Sequence, residues 1–172
     1  QREIQRLRVL RPLFDITETL FSEQDPDRLK KLILDIALDR FDCSNINVYQ
    51  QIDDQFELFA GIETESFDDR FWSIFEQAVK INAPVFLNVD APENYEYKKL
   101  LEERDIGSLV CVPNTSNRGI SLLVAIRLKD DRRFSVADQE MLLLFSRQAA
   151  IAMENAFLYH DLQDHVKQDE QS

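Results

Sequence analysis

The 172-residue chain carries 32 acidic residues against 20 basic ones, a formal net charge of −12. That excess repels phosphate backbones and anionic lipid surfaces, which excludes nucleic-acid or membrane-surface binding through broad electrostatics. The length suits one domain with helical extensions, and an apolar fraction of 44 %, with twelve Phe, supplies a core that needs no metal or disulfide staple.

No apolar run approaches the roughly 20 residues needed to span a bilayer. The chain opens on Gln1 rather than Met, directly in a helical pattern and without a signal-peptide pattern, so it reads as a piece of a larger protein. Cys43 and Cys111 form neither a disulfide framework nor a zinc set. A reducing, cytoplasmic setting is the simplest reading, with a single Cys43–Cys111 bridge left open and the parent protein free to carry a membrane anchor.

Taken in order, residues 1–22 read as a helix with an apolar stripe through Ile4, Leu7, Leu10, Phe14 and Phe21, with Pro12 as a kink or break. Asp25 and Pro26 open a second amphipathic helix, 26–40, with Leu29, Leu32, Ile33, Ile36 and Ala37 on one face. Asn45–Gln51 and Gln55–Ala60 alternate around Asp53–Asp54 as a β-hairpin. From Ser66–Phe67–Asp68 a helix carries Phe71, Phe75 and Val79, ended by Asn82–Ala83–Pro84. Val85–Asn88 reads as a short strand, 93–104 as a polar helix or loop broken by Gly107, and 108–112 as a strand. Pro113 through Gly119 reads as a turn, and Ile120–Arg127 as a strand apolar on both faces, as in a sheet covered on both sides. After the charged loop 129–133, Ser135 caps a long last helix whose apolar positions run through Leu142, Phe145, Ala149, Ala152, Met153, Ala156 and Leu158 to Leu162 and Val166. The expected fold class is α/β (α+β): a central, mostly antiparallel sheet flanked by helices on both faces, with long N- and C-terminal helices.

Four pieces in the second half occur in a particular order. They are Gly107-Ser-Leu-Val-Cys-Val-Pro113, Gly119-Ile-Ser-Leu-Leu-Val-Ala-Ile126, Arg133-Phe-Ser-Val-Ala-Asp-Gln-Glu140 and Leu144-Phe-Ser-Arg-Gln-Ala-Ala-Ile-Ala-Met-Glu-Asn-Ala156. With the element order they resemble the GAF domain over about residues 10–160; the fold is GAF/PAS-like, and paired helices at 1–22 and 26–40 separate it from PAS. The resemblance implies a core at 23–158, an N-terminal dimer or linker helix at 1–22 and a projecting C-terminal helix end or linker at 159–172. It departs from cyclic-nucleotide-binding members, whose Asn-Lys pair is replaced by Ile126-Arg-Leu-Lys129 and whose usual Glu after Asp138 is Gln139. Bilin-binding members use a Cys, often with His nearby; here both histidines lie on the last helix and both cysteines in or beside strands.

Other chemistry is weak. The three glycines, Gly61, Gly107 and Gly119, make no P-loop or GxGxxG fingerprint. His160 and His165 are five apart on a helix and read as solvated rather than as metal ligands. Cys111, between Val110 and Val112, reads as a buried inert thiol, and Asp53–Asp54 and Asp68–Asp69 as turn or helix-start residues. No catalytic, metal or cofactor residue is expected.

The resemblance implies a small-molecule pocket between one sheet face and the middle helices, with Phe71, Phe75, Phe86, Asn88, Ser108 and Val110 as candidate lining residues. It also implies a homodimer through the terminal helices, carried by Leu7, Leu10, Phe14, Leu158, Leu162 and Val166. The leading reading is a non-catalytic, ligand-sensing regulatory domain of a larger signalling protein, such as a bacterial kinase, cyclase, phosphatase or transcription regulator. The alternative is a degenerate domain acting only in dimerisation, favoured by a fully packed pocket. An enzyme would need a reactive Cys.

Overall fold

The computed structural model describes residues 15–61, 67 and 69–171, with side chains described through Val166. Helix α1, described over 15–22, buries Ile16 and Leu20, four residues apart. The N-terminal part of the predicted helix, with Leu7, Leu10, Pro12 and Phe14, lies outside the described residues. Helix α2, Pro26–Arg40, starts with Pro at its first turn and Asp25 at its N-cap, and buries Leu29, Ile33 and Ala37 at successive turns.

Strands β1, Asn45–Ile52, and β2, Gln55–Gly61, form the predicted hairpin. Asp53 and Asp54 both take left-handed backbone angles, φ 50° and 65°, the tight reversal whose twist suits a two-residue hairpin and which Asp tolerates. Helix α3, Asp69–Ile81, buries Phe71, Ile74, Phe75 and Ala78 at spacings of three and four. Strand β3 is Val85–Asn88; a 3-10 turn, Pro92–Tyr97, and the short helix α4, Lys98–Glu103, resolve the stretch predicted as helix or loop.

Strands β4, Ile106–Ser116, and β5, Gly119–Leu128, are longer than predicted. Gly107 does not end a segment but lies inside β4, beside a register shift between Ile106 and Ser108. Pro113 does not start a turn either: it continues β4, paired with Leu122, so the turn shrinks to Asn117–Arg118. The physical reason is edge position. Strand β3 reaches only Cys111, so past that point β4 has an open side where a missing N–H leaves no bond unmade.

The sheet is antiparallel throughout, in the order β2-β1-β5-β4-β3. Helix α5, Val136–Gln171, closes the chain at 36 residues, about 54 Å at 1.5 Å per residue. Helices α1, α2 and α5 cover one sheet face around Val110, Val112, Leu123 and Ala125. Helices α3 and α4 cover the other around Tyr49, Leu109, Cys111, Leu122 and Val124. Central β5 is buried on both faces, as its continuous apolar run predicts.

Candidate ligand cavity

An aromatic cluster, a cavity beside it and a buried arginine lie around the sheet. Under α3 lies an aromatic cluster. Phe67 meets Phe75 edge-on at 5.1 Å, Trp72 meets Tyr49 edge-on at 5.2 Å, and Phe56 stacks on Trp72 at 5.6 Å with rings 9° apart. These are favourable offset and T-shaped geometries. Phe71 and Phe75 are fully buried within it.

Next to this cluster, towards the end where β1 starts and β5 ends, the same face opens into a cavity of about 520 Å³. Leu38 of α2, Asn45 and Asn47 of β1, Ile126 and Leu128 of β5, Phe67, and Arg104, Asp105 and Ile106 at the α4–β4 junction line it. That size lies within the range of small-molecule sites, about 300–1,000 Å³, and mixing apolar walls with a few polar groups is their usual composition. Asn47 is 97 % buried, since only 3 % of it is exposed. Its Nδ2 donates to Tyr49 Oη at 3.3 Å. Its Oδ1 is the one buried side-chain polar atom without a hydrogen-bond partner among the described residues. Such an atom costs about 1–3 kcal/mol. Gly61, opposite Asn47 in the β1–β2 register and at φ 125°, leaves room for that amide: a Cβ there would collide with Asn47 Oδ1.

The cavity wall is bonded to the loop that precedes α5. Ser44 Oγ accepts from Leu128 N–H at 3.0 Å and donates to Asp131 Oδ2 at 2.5 Å. One residue before Leu128, Arg127 is 3 % exposed and forks across the α2–β1 loop and the start of α5. It donates to Phe41 O at 2.7 Å, Asp42 O at 3.2 Å and Asp138 Oδ2 at 3.2 Å, and lies 4.4 Å over the Phe134 ring. Ser135 and Asp138 form the predicted helix start as a reciprocal capping box, each side chain accepting the other's N–H, at 3.0 and 2.9 Å. Burial pushes the Asp138 carboxyl up, but hydrogen bonds from Ser135 and the Arg127 and Arg132 charges outweigh it and hold the pKa below its ordinary value.

The sheet separates the six predicted pocket residues. Phe71 and Phe75 pack on the α3 face. Val110, with Phe86 against it, packs on the α5 face. Ser108 shares the parity of Val110, and its Oγ accepts from Phe134 N–H at 3.0 Å, next to α5. Asn88 Oδ1 accepts from Asp90 N–H at 2.8 Å and so closes its own turn. No one cavity can be lined by all six, and none of them lines the 520 Å³ cavity. Sequence reasoning missed Asn47, Arg104 and Arg127. The available signals were an Asn inside an otherwise apolar alternating strand and an Arg ending the apolar run of β5.

Of the predicted helix-seam residues, Leu158, Leu162 and Val166 are exposed on α5. Cys43 and Cys111 are free and buried on opposite sheet faces. Burial pushes the Cys43 thiol up to about 12, against the nearby Arg127 charge, and raises the Cys111 thiol too, so neither is a thiolate at neutral pH. His160 pairs with Asp164 at 3.4 Å on the helix surface. No described helix is long and apolar enough to cross a membrane.

No family model matches the sequence, and no curated protein is similar enough to match it. Solved structures do match. The GAF domain of a two-component sensor histidine kinase from Bacillus halodurans superposes with a TM-score of 0.52 at 18 % identity, over 74 % of this chain and 95 % of that one. The GAF domain of Acinetobacter phosphoenolpyruvate-protein phosphotransferase gives 0.61 at 16 %, over 90 % and 95 %. The far-red absorbing dark state of JSC1_58120g3, with bound biliverdin IXa, gives 0.64 at 13 %, over 84 % and 98 %. At these identities the likeness is one of fold.

Proposed function

We infer that this chain, whose fold is that of a GAF domain, is a non-catalytic regulatory domain of a larger signalling protein that binds a small molecule in the 520 Å³ cavity and passes its occupancy to α5. The observation that carries the reading is the cavity itself, open on the α3–α4 face and walled by both apolar and polar groups. The relay follows from connectivity. Leu128 lines the cavity, and Arg127 beside it holds the α2–β1 loop and Asp138 of α5. A ligand that moves the end of β5 moves the clamp at the base of α5, and it shifts the helix only as far as it binds one arrangement better than the other.

A domain that only dimerises is the second reading. The closed aromatic cluster under α3 favours it, since Phe71 and Phe75 leave no space beneath that helix. Covalent bilin attachment is not part of the proposal: Cys43 and Cys111 are core thiols and neither lines the cavity.

Native mass spectrometry of the purified chain, followed by a thermal-shift screen of nucleotides, heterocycles and short carboxylic acids, tests the proposal. Retained mass or stabilisation is expected and should be lost in Leu128→Trp, which fills the cavity from a position that is already 41 % exposed. Binding that survives Leu128→Trp places the ligand elsewhere. Absence of any retained mass or stabilising compound moves the function to dimerisation alone.

A further inference from the structure

We propose that the chain has a second small-molecule site, on the sheet face opposite the 520 Å³ cavity, in which a neutral molecule inserts an isopropyl-sized apolar group between the sheet and α5 and leaves a hydroxyl or amide end at the mouth. The proposal goes beyond the sensor reading and does not need the first cavity to be occupied.

Strand register sets two rows of side chains across the sheet on the α5 face. Val48, Leu123 and Val112 form an apolar row. Two residues further towards the β4–β5 turn, Gln50, Ser121 and Asn114 form a polar one. Here α5 contributes Ser146, Ala149 and Ala150, so small side chains meet small side chains and a gap of about 70 Å³ is left between helix and sheet. Native interiors hold few voids larger than a water molecule, and one water needs only roughly 10–15 Å³. The floor of this gap is Ile33, Leu123 and Met153, all buried. Apolar cavities of about 150 Å³ stay dry and take up benzene or xenon. A gap near half that size suits a compact branched group.

The mouth decides what the rest of the molecule carries. Asn114 Nδ2 donates to Ser146 Oγ at 2.6 Å, and Gln50 Nε2 donates to the Arg118 carbonyl at 3.4 Å. The Ser121 hydroxyl, between them in the row, has no hydrogen-bond partner among the described residues. A hydroxyl both donates and accepts, which matches a hydroxyl or amide end. Charge at the rim is balanced. Lys30 lies 4.1 Å over the Phe59 ring and Arg118 3.8 Å over the Phe157 ring. Asp161 lies 3.8 Å from Arg118, and Glu154 lines the same mouth. Two cations beside two carboxylates select neither an anion nor a cation, and desolvating a charged end would go unrewarded. Arg118 also joins the β4–β5 turn to α5 at the edge of the cavity. A bound molecule therefore touches α5 directly, through Ala150 and Phe157, with no relay through Arg127.

Methyl-labelled methionine NMR of the 172-residue chain tests this, because the chain has two methionines. Met153 lines the cavity and Met141 does not. Xenon probes the void; isobutyramide, isobutyrate and isobutylammonium probe the mouth. Xenon and isobutyramide should shift the Met153 methyl and leave Met141 in place. Isobutyramide should bind on the order of millimolar, at least about tenfold more tightly than either charged analogue. Ser121→Ala should weaken isobutyramide by roughly threefold or more and leave the xenon shift unchanged. Ala150→Leu and Ser121→Leu fill the gap from two sides, at half-buried positions, and should each abolish both shifts while the thermal midpoint is kept. Leu128→Trp, which fills the first cavity, should leave both shifts intact, so the two sites fail separately. An unmoved Met153 methyl, equal shifts of both methyls, or a charged analogue that binds as tightly as the amide overturns the proposal. So do shifts that survive in a folded filling variant or vanish in Leu128→Trp.

Discussion

Arg127 shows how one side chain can hold three segments. Its guanidinium is removed from water and answered by backbone carbonyls and by Asp138, which is the condition under which a buried charge is tolerated. Arg127→Lys keeps the charge but loses the fork, and is expected to cost about 2 kcal/mol or more in urea unfolding. Asp138→Asn should cost about 2 kcal/mol at neutral pH. Because the folded-state pKa of Asp138 is lowered, its charge contribution is present above the ordinary carboxylate range, near 4, and is lost as pH falls through the folded value. The gap between wild type and Asp138→Asn should therefore be constant from pH 7 to about 5 and narrow below about 4; a gap unchanged at low pH would remove the charge from the explanation. The Phe-Ser-x-x-Asp pattern was readable as a helix start, but Arg127 was not readable as its partner, since it is 11 positions away on a strand.

Asn47 and Gly61 form the other residue-scale pair. Asn47→Leu removes both the unpartnered Oδ1 and the Nδ2 hydrogen bond to Tyr49 Oη, two effects of opposite sign, so apo stability should change by about 1 kcal/mol or less while ligand retention falls. Gly61→Ala, by contrast, meets Asn47 at a positive φ, and is expected to be destabilising by about 1–3 kcal/mol. Equilibrium unfolding with parallel native mass spectrometry separates the two effects.

Among the elements, α5 is where periodicity alone is ambiguous. Spacing joins Leu142, Phe145, Ala149, Ala152, Met153 and Ala156 to Leu158, Leu162 and Val166 in one series, and does not tell which of them meet the sheet. Packing sorts them: Phe145→Ala, at a fully buried position, should cost about 3–5 kcal/mol, whereas Leu158→Ala should leave domain stability within about 0.5 kcal/mol. Equal costs for the two changes would contradict the burial of Phe145 and the exposure of Leu158. The α2 helix and the β1–β2 hairpin were legible nearly to the residue, because Asp25-Pro26 and Asp53–Asp54 are strong local punctuation. Strand β4 was not, because Pro113 and Gly107 normally mark breaks, and only the end of β3 at this edge makes Pro113 harmless.

At the scale of the whole molecule, the single Trp is a built-in reporter. Trp72 stands in the aromatic cluster that shares Phe67 with the cavity, so ligand entry should change its emission, and Leu128→Trp has to be read by mass rather than by fluorescence. What the sequence by itself determined was the order of the elements, the β1–β2 hairpin, the burial of β5 on both faces and the capped start of α5. These are local quantities: alternation, turn residues and capping need no knowledge of distant segments. Only the tertiary structure decided which residues share a cavity. Strand parity puts Ser108 with Val110, and pairing puts Phe86 opposite Val110. Yet which helix covers that face depends on how the chain crosses the sheet. That crossing placed α5 there and left Phe71 and Phe75 on the other side, so the cavity formed instead around Asn47 at the junction of β1, β5 and α4.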